Sequence, residues 1–255
     1  MARSFAIRFP LFGLLFFIGF VSLFVFRPVP LVKSDAPQNV FSAQRAHQHV
    51  CAIGRQPHPA GSVQAKEVRD YILAQLNRLG LRPELHESAA NRSPGEVAVP
   101  VNILARIYGS GTEGKGVVAL ITHYDSVATG PGAADDGAGC AALLEAARAI
   151  LADKPLKNDV LLVFTDGEEG RGKGTGLRGA RALFNHPVSK EIDVFINFDC
   201  RGFGGPSYMY ETSRPNGWLI REMARSDARV LASSLMYEIY SRTPLGSDFS
   251  VLVEN

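Results

Sequence analysis

Two short stretches carry most of the chemistry this chain could perform. Thr122 to Gly139 reads THYDSVATGPGAADDGAG, and Thr165 to Gly170 reads TDGEEG. The first holds His123, Asp125 two residues on, and the pair Asp135–Asp136 beginning twelve residues after the histidine. The second holds Glu168 and Glu169, and Asp199 follows in INFDCRG. Imidazole nitrogen and carboxylate oxygen are ligands that zinc accepts. Carboxylates buried without partners are costly. So many charges inside glycine-rich, apolar sequence point to ligands closing around two divalent metal ions.

The residue types fit two zinc ions. His123 offers a neutral imidazole to one metal, Asp135 has two oxygens and can bridge both, Glu169 completes one side and Asp199 the other. Asp125 is placed to orient the His123 ring and joins the catalytic set in that role. Asp136 is a supporting residue. Glu168 is the expected general base. A water between two metals has a lowered pKa, and a nearby carboxylate can take its proton and pass it to a leaving amine. Adjacent glutamates can divide this work because successive side chains of an extended or turn segment point in different directions.

The elements that must position these groups follow from apolar patterning. Val101 to Tyr108, Val117 to Thr122, Val160 to Thr165 and Val194 to Phe198 read as strands, the middle two apolar up to a final threonine as expected when both faces are covered. Phe41 to Ile53 reads as a helix. Ser62 caps a second one, in which Val68, Ile72, Leu76 and Leu79 recur at helical spacing before Gly80. Ala138 to Leu151 and Gly176 to Phe184 are helical and separate strands. The expectation is an α/β fold: a mixed, mostly parallel central sheet with helices on both faces. His123 and Asp125, Glu168 and Glu169, and Asp199 each follow a strand, at the strand ends where open α/β sheets build their sites.

The bulk properties are those of a globular protein of 255 residues with a net charge of +2 and 46% hydrophobic residues. Lys and Arg are scattered, which argues against a nucleic acid partner. Cys51, Cys140 and Cys200 include no C-x-x-C pair and read as small buried apolar groups. His58 in PHPAG and Asp166 read as structural turn residues. GRGKGTG lacks the frame of a phosphate loop. Arg201 and Tyr208 fall in the segment expected to line a substrate pocket.

The N-terminus has its own character. Phe9 to Phe26 contains no charged residue. Eighteen residues at ~1.5 Å rise span about 27 Å, close to a bilayer core. Residues 1–8 read as a tail, 9–26 as a transmembrane signal anchor rather than a cleaved signal peptide, 27–40 as a linker with Pro28, Pro30 and Pro37, and 41–255 as the main domain. Charges flank the span evenly, and the short N-terminal side favours a single-pass protein with its main domain on the periplasmic, extracellular or lumenal side.

THYDSVATGPGAADDGAG, TDGEEG and INFDCRG resemble the di-zinc exopeptidase family. That family contains bacterial zinc aminopeptidases, glutamate carboxypeptidase and membrane-bound metallopeptidases of the endoplasmic reticulum and vacuole. RQPHPAGS, followed by a helix ending in LGL, resembles the membrane-anchored branch, and the similarity covers roughly residues 41 to 255. It implies that His123 and Asp199 bind opposite metals with Asp135 bridging, that Glu169 is a ligand and Glu168 the acid/base, and that Asp135–Asp136 is a cis peptide. It implies peptide substrates and an aminopeptidase activity. It also implies a fifth ligand, a late histidine, whereas the last histidine here is His186. The expectation is therefore a chain that stops short of that ligand, with its own activity in doubt. A single-zinc cyclase of the same fold and a non-catalytic binding ectodomain are the alternative readings.

Overall fold

The structure is a computed structural model. It describes residues 2–25, 29–88, 99–112, 116–170, 175–200, 207–226, 228, 231–243 and 246–253. The chain begins with α1 (Ala2–Val25), α2 (Ala43–Ile53) and α3 (Val63–Arg78), followed by β1 (Glu84–Glu87), β2 (Val101–Ile107) and β3 (Val117–His123). Next come α4 (Gly137–Leu151), β4 (Asp159–Thr165), α5 (Arg178–Phe184), a 3-10 turn at Pro187–Glu191 and β5 (Ile192–Asn197). The last elements are β6 (Tyr208–Met209), α6 (Gly217–Arg225), β7 (Leu231–Ala232), α7 (Ser234–Tyr240) and α8 (Asp248–Val253).

Two compact units divide these elements. One comprises Met1–Pro30 and Gly204–Thr243, and the other Leu31–Phe203 and Pro244–Asn255. Within the first, β6 and β7 pair in parallel. The described side chains of α1 are those of residues 10–23, where ten large apolar groups from Leu11 to Leu23 are exposed. Among the described residues no helix is long and apolar enough to cross a membrane. The expected span of 9–26 runs at both ends past residues 10–23, whose side chains are described.

The second unit holds a five-stranded sheet in the order β1-β2-β4-β3-β5. β4, β3 and β5 are parallel, while β2 meets β4 and β1 meets β2 antiparallel. The sheet is thus evenly mixed rather than mostly parallel. Only nine residues join β2 to β3, and a parallel crossover needs a dozen or more, so β2 must run against its neighbours. β1 is a short, largely exposed edge strand that apolar patterning does not mark.

β4 is buried at every position because both faces are covered. Leu162 and Phe164 meet Ile72, Leu76, Ile103, Leu143 and Leu144 on one side. Leu161 and Val163 meet Ala119, Ile121 and Leu183 on the other. β5 is the other edge, with Ile196 about half exposed. The Ser62 hydroxyl accepts from Ala65 N at 3.0 Å and starts α3, as its sequence position predicts. Of the three cysteines only Cys140 is fully buried; Cys51 is exposed.

Residues 31–40, read from the sequence as linker, are bound to the helices. Glu145 on α4, with a side chain 1% exposed, is gripped by Arg45 Nε at 3.0 Å and Arg148 Nε at 2.7 Å. It also accepts from Ser42 N at 2.8 Å. The two guanidinium groups then donate outward to the carbonyls of Ser34, Ala36, Pro37, Gln38 and Val40. Burial works against ionised Glu145, but the bonds from Arg148, Ser42 and Arg45 outweigh it and hold its pKa below the ordinary carboxylate value. A depressed folded pKa means that the pair stabilises fully above the unfolded value, about 4.3, and that this contribution fades as pH falls through the lower folded value. Breaking a buried pair by removing one partner costs a few kcal/mol. Glu145→Ala should therefore lose about 3 kcal/mol of stability at neutral pH, read by chemical denaturation, and the deficit should shrink on acidification below about pH 4.

Candidate metal centre

His123 ends β3, Glu168 and Glu169 follow β4 by three and four residues, and Asp199 follows β5 by two. These three parallel strands are neighbours, so their carboxyl ends open on one place, as the sequence predicts. There His123, Asp135 and Asp199 each present a ligand atom, and the three atoms lie within 4.8 Å of one another.

The His123 ring is aimed by its backbone surroundings. Its Nδ1 lies 3.0 Å from the Asp125 carbonyl oxygen. A carbonyl only accepts, so Nδ1 carries the proton and Nε2 is left with its lone pair. Nε2 faces Asp135 Oδ1 at 3.2 Å. A lone pair and a carboxylate oxygen at that distance require a cation between them, either a second ring proton or a metal. Two ligands of a tetrahedral zinc with bonds of 2.0–2.1 Å stand roughly 3.3 Å apart, so the spacing fits zinc.

Asp125 is fully buried, and its side chain does more than orient the ring. Oδ1 accepts from Gly167 N at 2.9 Å and Glu168 N at 3.0 Å, and Oδ2 from Glu169 N at 3.2 Å. One carboxylate thus shapes the whole turn after β4. Gly167 serves that turn with a φ of 72°, a region side chains disfavour. Asp136 caps α4, accepting from Gly139 N at 3.1 Å and from the Thr122 hydroxyl. The approach of Thr122 needs a glycine at 139, where a Cβ would lie 2.5 Å from its Oγ1. The peptide between Asp135 and Asp136 is cis.

Electrostatics separates the acids. Burial pushes Glu168 up to about 9, opposed by His123 and reinforced by Asp248, Asp199 and Asp125. Asp199 rises to about 7 by burial, with Asp135 and Asp248 adding to it against His123. Burial also raises Glu169, and lifts Asp136 well above the usual carboxylate range. For His123 burial disfavours the charged ring, yet its bonds to Asp125 and Asp135 prevail and raise its pKa well above 6.5. This is too much negative charge for one imidazole. A divalent cation would reverse these shifts, so the donor set fits a metal on charge as well as spacing.

Four of the six expected site residues are placed directly: His123, Asp135 and Asp199 converge, and Asp125 holds the ring and the loop. Glu168 lies on that loop, electrically coupled to His123 and Asp199. Glu169 has its backbone fixed by Asp125, but its half-buried carboxylate is outside the converging group of three. Asp166 serves structure, accepting from Val101 N at 3.0 Å, and His58 is buried with its N–H on Ser126 Oγ. Tyr208 lies in β6, and Arg201 is outside the described residues. Sequence reasoning passed over Asp248, fully buried and bonded to Thr165. Its sequence shows only an acid at a helix start.

A mixed sheet carrying histidine and carboxylates at the ends of its parallel strands is an α/β fold, and solved structures share that fold. A glutaminyl cyclase from Porphyromonas gingivalis superposes with a TM-score of 0.68 at 23% identity, over 84% of this chain and 80% of that one. A Zn-dependent exopeptidase from Parabacteroides distasonis gives 0.64 at 21% identity, over 84% and 80%. Residues 102–255 match the profile of peptidase family M28, and the chain belongs to that family. It is 31% identical over 221 residues to a vacuolar membrane protease of Schizosaccharomyces japonicus, covering 82% of this chain and 25% of the relative. It is 27% identical over 239 residues to endoplasmic reticulum metallopeptidase 1 of Rattus norvegicus, covering 86% and 26%. The chain thus spans about a quarter of the length of these relatives.

If Asp125 is the shared anchor of ring and loop, changing it should loosen metal binding. Asp125→Ala removes three acceptor contacts, and Asp125→Asn sets an NH2 donor against backbone donors. Each should weaken zinc binding about 10–100-fold, measured by competition with a chromogenic chelator. Unchanged affinity in both variants would show that the ligands are placed without it.

Proposed function

We propose that this chain is the hydrolytic domain of a membrane-anchored zinc aminopeptidase, with two zinc ions held by His123, Asp135, Glu169 and Asp199 and with Glu168 as general base. The observation that carries the reading is the convergence of His123, Asp135 and Asp199 on a point that calls for a cation. Membership of a peptidase family gives the reaction class. Bound zinc would supply Lewis-acid polarisation of a scissile carbonyl and a more acidic water.

The chain's own residues do the rest. Asp125 keeps the proton on His123 Nδ1 through its carbonyl and keeps Nε2 available. Its carboxylate presents the two glutamates in fixed succession. Glu168, in its ionised form, takes a proton from the attacking water at its carboxylate and returns it to the departing amine. Asp136, bonded to the Thr122 hydroxyl and Gly139 N, holds the loop that Asp135 occupies and sets its charge beside His123.

Anchoring is supported by the exposed apolar surface of α1 from Leu11 to Leu23 and by relatives named as membrane proteases. An anchor through residues 9–26 places the domain on the lumenal, periplasmic or extracellular side, within reach of peptides there. A single-zinc cyclase is the second reading, favoured by the convergence of three ligands without Glu169.

Zinc-loaded protein should release amino acid from unblocked amino-acid amides and leave the N-acetylated forms intact, with loss of turnover on adding chelator. Glu168→Gln should lower kcat by about 10²–10⁴ while bound zinc, counted by elemental analysis, stays at the level of the unsubstituted protein. One zinc per chain together with ammonia release from N-terminal glutamine would select the cyclase instead. Protein that holds no zinc at neutral pH would remove both.

A further inference from the structure

The two central parallel strands end in the same way. Thr122 near the end of β3 donates its hydroxyl to Asp136, which caps α4. Thr165, the last residue of β4, has its hydroxyl shared between the Thr122 carbonyl, at 3.1 Å, and Asp248 at the start of α8. Thr165 stands beside His123 in the strand register, and the Glu168 turn begins directly after it. Its carbonyl also accepts from Tyr124 N at 3.0 Å. Thr165 is therefore the joint from which the turn departs, and Asp248 is the side chain that closes on its hydroxyl.

α8 is held where this requires. Phe249 packs on Phe195 of β5 with ring centroids 5.3 Å apart. Leu252 lies against the apolar cluster containing Ile121, Val163 and Leu183. Asp248 is 1% exposed, and its Oδ1 is buried with no hydrogen-bond partner among the described residues. A carboxylate that far from water, with one oxygen unserved, is costly unless its position matters. Its charge acts on Glu168 and on Asp199. Closed off from solvent, it does not meet substrate.

We propose that Asp248 is a positioning residue: by gripping the Thr165 hydroxyl it docks α8 onto the end of β4 and fixes the turn that presents Glu168 and Glu169. Its bearing on turnover rests on the aminopeptidase reading; its bearing on the turn does not.

Hydrogen exchange on the full chain separates the two. In Thr165→Val and Asp248→Ala the amides of Gly167, Glu168 and Glu169 should exchange at least tenfold faster, with Leu162 in mid-β4 unchanged. Thr165→Ser, which restores the hydroxyl, should return protection to the original level. In zinc-loaded enzyme the same variants should lose kcat tenfold or more per bound zinc, with KM held and Thr165→Ser rescuing. Unaltered exchange at all three amides in Thr165→Val would overturn the proposal, whatever the activity. Altered exchange in a chain that hydrolyses nothing would keep it and remove the aminopeptidase reading. If Asp248→Ala fails to fold, the Thr165→Val and Thr165→Ser pair decides alone, since Val removes the hydroxyl and Ser keeps it.

Discussion

A lone pair set against a carboxylate governs this molecule. His123 has committed its Nδ1 proton to a backbone carbonyl, so its other nitrogen meets Asp135 only across a cation, a second ring proton or a metal. Around that confrontation Glu168 and Asp199 are pressed out of water and toward their protonated forms. Such a cluster is electrostatically incomplete, and a small dication completes it with no change of ring tautomer. The fold can be understood as the scaffold that keeps this incompleteness in place.

The acids of the site fall into two groups by what they already hold. Asp125 and Asp136 have backbone amides or hydroxyls on both oxygens, and Asp166 has an amide on one. These act as struts, tying loop to strand and helix to strand. Asp135 and Asp199 face the shared centre instead. Charge-assisted bonds to backbone N–H groups are among the stronger polar contacts, which suits the struts to holding a loop whose ends alone would leave it loose. The work of binding and the work of holding thus go to different aspartates, adjacent in the chain at Asp135 and Asp136.

Much of this was legible in the chain. Strand ends could be placed because β3 and β4 are covered on both faces and therefore apolar along most of their length, and the chemistry-bearing residues follow them at once. The cap at Ser62 is a local event between residues three apart. What could not be read depends on distance along the chain. Asp248 meets a partner 83 residues away, and β1 owes its existence to the β2 edge rather than to its own apolar content. The antiparallel entry of β2 was available in principle from the short link to β3. The Asp125 carboxylate was assigned to the ring, while its larger duty, the three amides of the glutamate turn, lies 42 to 44 residues further on.

The Arg45–Glu145–Arg148 clasp bears on where the folded domain starts. Proline content suggests a border near residue 41, but the carbonyls of Ser34 to Val40 are what the two guanidinium groups grasp, and the Ser42 hydroxyl reaches back to Val32 and Lys33. A recombinant domain trimmed to residue 41 would strip those carbonyls from two arginines and open Glu145 to solvent. One begun at Leu31 would keep the clasp whole.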